Sequence, residues 1–152
     1  MAEYIADSME KDTLYIVGPG STTRSIMEEL GLPNTLLGVD VVKDKKLLLS
    51  DASEQKLWEL LEDTKLQAKI IVTPIGGQGN LFGRGNQQIS PRIIQRIGKE
   101  NIIAVAGTSK LLALRGRPLL VDTGDPALDA ALCGFIEVAI GYRAATICTI
   151  SN

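Results

Sequence analysis

Three segments of this chain have residue types and spacings suited to holding a small anionic molecule. The first is Gly18-Pro19-Gly20-Ser21-Thr22-Thr23, placed between an apolar run and a helical pattern. Glycine lets a backbone approach a ligand closely. The first amides of a helix carry partial positive charge, and the hydroxyls of Ser21, Thr22 and Thr23 can donate to a phosphate held there. The spacing is neither a Walker A loop nor GxGxxG. The plain alternative is a tight strand-to-helix turn in which Ser or Thr only caps the helix.

The second segment covers residues 73–88, TPIGGQGNLFGRGNQQ, in which five of the ten residues from 76 to 85 are glycine. A flexible linker favours serine and charge, whereas this stretch mixes glycine with amides, one arginine and one phenylalanine. Glycine density after a buried strand points to backbone packed on a ligand, with Thr73, Gly76, Gly77, Gly79, Gly83 and Gly85 giving access. Asn86 and Gln87 would read polar edges, and Arg84 is the cation expected to hold a phosphate. The plain alternative is a disordered surface loop. The third segment is Val121-Asp122-Thr123-Gly124-Asp125. Asp125 before Pro126 reads as an N-cap. Asp122 and the similarly placed Asp40 are candidates to orient a hydroxyl or a hydrated magnesium ion, or are satisfied structural carboxylates.

The chain has no histidine and two cysteines, Cys133 and Cys148. That excludes Ser-His-Asp and Cys-His nucleophile systems, imidazole bases and a structural zinc site; no metal-ligating set is read from the sequence. Two cysteines are too few for a disulfide framework and fit a reduced, cytoplasmic protein. No apolar run approaches the ~18 residues of a membrane span, and the N-terminus lacks a signal-peptide pattern.

Charge is distributed unevenly. The net −2 resolves into −5 over residues 1–75, +6 over 76–121 and −3 over 122–152. A basic middle in a chain of pI near 5.2 suits a local anionic ligand better than nucleic acid, which raises the charge of a whole domain. Phe82 is the only aromatic in the basic stretch, so base-stacking platforms are not expected.

The positioning elements follow from periodicity. Apolar runs at 14–17, 36–42, 69–72, 102–105 and 118–121 read as strands. Between them lie helical patterns opened by Ser21-Thr22, Ser53, Ser90-Pro91, Thr108-Ser109 and Asp125-Pro126, several stopped by Gly31, Gly98 and Gly116. Residues 135–140 and 145–150 close the chain as two strands. With 152 residues, 45% of them hydrophobic, this predicts a single α/β domain over residues 1–152. It should form three layers, a largely parallel sheet with helices on both faces and a C-terminal strand pair. In such sheets ligands lie at the carboxyl ends of strands, so residues 18–23 and 73–88 are expected to share one surface.

The strings YIVGPGSTTRSIMEELGLPNTLLGVDVV, VTPIGGQGNLFGRGNQQISPRIIQRIGKENII and SKLLALRGRPLLVDTGD resemble the C-terminal portion of the predicted ATP-NAD kinase (AcoX-like) family, over about residues 14–143. More distantly, the middle string is similar to the bacterial NAD kinase motif TPTGSTAYSLSAGGP. Thr73, Pro74, Gly76 and Gly85 match it, Gly77-Gln78-Gly79-Asn80 replaces Ser-Thr-Ala-Tyr, and Asn86-Gln87 replaces the final Gly-Pro. The resemblance implies transfer of the terminal phosphoryl of ATP, with Mg2+, to the adenosine 2′-hydroxyl of NAD. It also implies a partner N-terminal domain bearing a GGDGT motif, and a homo-oligomer. GGDGT does not occur in these 152 residues, so they are expected to be inactive alone. Two other readings of the loops stand beside this one. GPGSTT also looks like the phosphate loop of ribose-5-phosphate isomerase and related sugar-phosphate domains, although the DGADE stretch of that family has no match here. A non-catalytic sensor of a phosphorylated metabolite is the other.

Overall fold

The computed structural model describes residues 1–63 and 65–152. Its central elements show why the strands carry consecutive apolar residues rather than strictly alternating ones. In β1 (Thr13–Val17) and β4 (Gln67–Val72), Leu14, Ile16, Ile70 and Val72 enter one core, while Tyr15, Val17 and Ile71 enter another on the opposite face. Residues of opposite parity point to opposite faces of a sheet, and both faces are covered here. On the first face lie α3 (Glu54–Asp63) and α4 (Pro91–Ile97), burying Leu57, Leu61, Ile93, Ile94 and Ile97. On the second lie α1 (Ala2–Ser8) and α2 (Ser21–Glu29), burying Ile5, Ile26 and Met27. These are the three layers.

The remaining elements are β2 (Asp40–Lys43), β3 (Lys46–Leu49), β5 (Asn80–Phe82), β6 (Ile102–Val105), α5 (Thr108–Leu114), β7 (Leu119–Val121), α6 (Pro126–Leu132), β8 (Gly134–Gly141) and β9 (Ala144–Ser151). Among the described residues they form one nine-stranded sheet in the order β3-β2-β1-β4-β6-β8-β9-β7-β5. The pairs β1–β4, β4–β6, β6–β8, β7–β9 and β5–β7 are parallel. The C-terminal pair β8–β9 is an antiparallel hairpin, so β9, β7 and β5 run against β1, β4, β6 and β8. The carboxyl ends of the two sets therefore lie on opposite edges of the sheet.

Local expectations are corrected in three places. The strand expected over 36–42 forms only from Asp40 to Lys43, because the buried Asp40 carboxylate gathers residues 35–39 into a turn. It accepts from Thr35 N (2.9 Å), Thr35 Oγ1 (2.7 Å) and Asp51 N (2.9 Å). The stretch 73–88 is not one long loop, since β5 forms inside it. Ser90 holds the N-cap position of α4 as expected but makes no side-chain cap bond, and Gly20 and Gly107, rather than Ser21-Thr22 and Thr108-Ser109, hold those of α2 and α5. Asp125 caps α6 as expected, accepting from Ala127 N and Leu128 N. The helix at residues 2–8 is not among the sequence expectations.

Ser90 is used instead to join the helices of the first face. Its Oγ donates to Glu54, which also accepts from Arg92 Nε (2.7 Å) and Nη2 (2.6 Å), and the Arg92 guanidinium lies 4.5 Å from the centre of the Trp58 ring. The Arg92 bonds, aided by Ser90, hold the Glu54 carboxyl below its ordinary 4.5. A carboxylate with a depressed folded pKa contributes stability above the unfolded value and loses it as pH falls through the folded one. Stability should thus decline on acidification below pH 4.5, and Glu54→Gln should flatten that decline modestly, because the pair is largely exposed. An acid limb of the melting curve identical in both proteins would show that the contact contributes nothing.

Candidate functional site

The exits of β1, β4 and β6 meet at one place. Gly18 N donates to Ile71 O (2.9 Å), laying the turn after β1 along the end of β4. Gly20, at φ +134°, lies so close to Thr73 that a Cβ there would come within 2.5 Å of Thr73 Cγ2. Glycine is therefore required, and the N-terminus of α2 presses on the segment leaving β4. No side chain caps α2, so its first amides are left for another acceptor.

Around this contact is a cavity of about 450 Å³ lined by Gly20, Ser21, Thr22, Thr73, Pro74, Ile75, Gly76, Gly107, Ser109 and Lys110. Lys110 reaches across it, its Nζ donating to the Gly76 carbonyl at 2.7 Å. Thr73 is 4% exposed and lines the cavity. No carboxylate lines this space. It offers an ammonium, hydroxyls and helix amides, a donor set for an oxyanion.

The structure thus brings Gly20, Ser21, Thr22, Thr73 and Gly76 together and separates the other candidates from them. Thr23 is fully buried and its Oγ1 donates back to Gly20 O (3.0 Å), so its proton is committed. Gly18 is buried against Val72 and Ile71. Gly77 presents its carbonyl to Arg117 at 3.4 Å, and Gly79 packs against Leu114 and Leu119. Asn86 is 1% exposed; it donates to Leu81 O (2.9 Å) and accepts from Gly83 N (3.2 Å), latching the turn after β5 rather than facing a ligand. Gln87 is exposed and lines none of the cavities described here. Gly85 borders a smaller apolar cavity with Pro19, Gly20, Leu36, Leu37 and Ile75.

Gly83, Arg84 and Asp122 line a different cavity of about 700 Å³, with Gln78, Asn80 and Asp129. Gly83 and Arg84 leave β5 and Asp122 leaves β7, whose carboxyl ends lie on the opposite edge, so the surface expected to be shared by residues 18–23 and 73–88 divides in two. The larger cavity sets two carboxylates against Arg84, whereas Lys110 in the first has no acidic neighbour in the lining. The positive field is therefore stronger in the smaller cavity. Asp40 is a satisfied structural carboxylate, as its three hydrogen bonds show. Burial pushes the Cys148 thiol up, away from thiolate chemistry.

Gly107, Ser109 and Lys110 are the site residues that the sequence reading did not select. Their signal was present: Gly107-Thr108-Ser109 after an apolar strand repeats the pattern of Gly20-Ser21-Thr22 after β1. Lys110 itself is one of seven cations in residues 76–121, and nothing local sets it apart from the others. Among the described residues no helix is long and apolar enough to cross a membrane, and no group of three or more acidic, cysteine or histidine side chains is placed to hold a metal ion.

No curated protein and no solved structure matches the chain. The family model for the ATP-NAD kinase C-terminal domain matches residues 10–150, a span that includes every strand exit described above. With nearly its whole length matched and with the α/β architecture that the strand and helix patterns require, the chain belongs to the ATP-NAD kinase C-terminal domain family.

Proposed function

We propose that this domain supplies the polyphosphate seat of an enzyme that transfers the terminal phosphoryl group of ATP to the 2′-hydroxyl of NAD. The observation that carries the reading is the acid-free cavity at the exits of β1, β4 and β6, with Lys110 across from the uncapped N-terminus of α2. Phosphoryl transfer is catalysed mainly by positioning and by stabilising charge on the phosphate oxygens. The Lys110 ammonium, the Ser21, Thr22 and Thr73 hydroxyls and the amides of α2 can each hold such an oxygen. The aspartate that acts on the acceptor hydroxyl in GGDGT-bearing kinases is not among these residues, so a second domain must provide it. Nor does the cavity fit a magnesium ion held by the protein, since magnesium is usually bound through one or two carboxylates as well as phosphates.

Inorganic tripolyphosphate tests the seat without the rest of the nucleotide. It should bind the chain with an affinity that falls as salt is raised, because charge is screened over about 8 Å at physiological ionic strength. Lys110→Ala should weaken it by about ten- to a hundredfold, the equivalent of a lost hydrogen bond to a charged group. Arg84, the cation to which the sequence alone points, lines the other cavity and should matter less. Equal titration curves for parent and Lys110→Ala, both folded by circular dichroism, would overturn the seat.

A further inference from the structure

Leu36 and Leu37 are 66% and 79% exposed, yet the turn that carries them is tied at both ends by hydrogen bonds. Asp40, 2% exposed, accepts from Thr35 N, Thr35 Oγ1 and Asp51 N. Gly38 donates to Thr35 O (3.4 Å) and sits where a Cβ would strike the Asp51 carboxylate. Folding normally hides leucine and leaves exposed turns mobile. Here a buried carboxylate holds two leucines out in a fixed place.

That place adjoins the phosphate seat. The leucines, with Pro19, Gly20, Ile75 and Gly85, line an apolar cavity of about 290 Å³, and Gly20 and Ile75 line the seat as well. One molecule occupying both must carry an apolar group close to an anionic one. Two leucines and an isoleucine around a small concavity are far less than a domain interface requires, since stable interfaces bury about 1,200–2,000 Å². Small-molecule sites instead combine apolar walls with a few convergent polar groups. No charged side chain lines the apolar cavity.

We infer that Leu36 and Leu37 form the wall of a base-binding slot, so that a nucleotide lies with its base on the leucines and its phosphates between Lys110 and the start of α2. This rests on the phosphate seat proposed above and adds which end of the nucleotide goes where. Asp40 is then a positioning residue, acting through the turn it ties.

Titration calorimetry on the full chain with two probes, ATP and inorganic tripolyphosphate, separates the slot from the seat. ATP should bind about tenfold more tightly than tripolyphosphate, the gain expected from covering apolar surface of this size. Leu36→Ser/Leu37→Ser, on exposed positions that the fold does not need, should remove that gain and leave tripolyphosphate binding as in the parent. Tripolyphosphate binding with no advantage for ATP overturns the slot and leaves the seat standing. An ATP affinity unchanged by the double substitution also overturns the slot, and assigns the leucines to a protein contact. Binding of neither probe overturns both.

Discussion

Gly83→Val is expected to lower the midpoint of thermal unfolding by roughly 6–16 °C, from about 3–4 kcal/mol of lost stability at about 2–4 °C per kcal/mol for a domain of this size. Gly83 follows β5, and Asp122 N donates to Phe82 O (3.1 Å) directly beside it. Its φ is +96°, and a Cβ built on it would overlap the Asp122 carbonyl group. That obstacle is backbone continuing from the parallel pair β5–β7, so it cannot rotate away as a side chain would. A β-branched residue at positive φ adds its own strain. Gly77, which has no neighbour within 4 Å of a built Cβ, is the control, and Gly77→Ala should melt with the parent. On the sequence alone Gly83 reads as access for a ligand. The structure shows that the chain itself makes the close approach. A Gly83→Val protein melting like the parent would mean that β5 and β7 are not packed as described.

Asp40→Ala should cost about 1–3 kcal/mol, the penalty for taking a hydrogen-bonded acceptor away from part-buried donors. The carboxylate is 2% exposed and accepts from two backbone amides and the Thr35 hydroxyl, and that hydroxyl also lies 3.2 Å from Ser50 Oγ. Alanine offers none of them an oxygen. Urea unfolding should show a lower midpoint with an unchanged slope, since the surface exposed on unfolding stays the same. The same variant should lose ATP affinity while tripolyphosphate affinity holds, because the turn bearing Leu36 and Leu37 is no longer tied. A midpoint equal to the parent's would remove Asp40 from any positioning role.

Much of the fold was legible because it is written locally. The run at 14–17 is apolar at every residue and the run at 69–72 at all but Lys69, as suits strands buried on both faces, and Asp125-Pro126 and Ser90-Pro91 mark helix starts that the structure reproduces. β5 was missed because Asn80-Leu81-Phe82 is short and set among glycines, and only its pairing with β7 makes it a strand. The run at 36–42 failed for the reverse reason. Its leucines look like core, but hydrophobicity does not say whether a side chain will be covered, and Asp40 draws the backbone into a turn before it can extend.

The sequence by itself determined an α/β domain, the glycine and hydroxyl content of the strand exits, and a family resemblance that the matching family model bears out. The tertiary structure alone decided which exits meet. The β8–β9 hairpin reverses the sheet, sending Asp122 and Arg84 to one cavity and leaving Ser21, Thr73 and Gly76 in another, where Lys110 joins them from α5. Strand direction depends on which distant segments pair, and the free energy of that pairing lies in contacts between residues far apart in the chain. The β8–β9 hairpin is local, but the pairings of β8 with β6 and of β9 with β7 join distant segments, so periodicity can name the elements but cannot place them in the sheet.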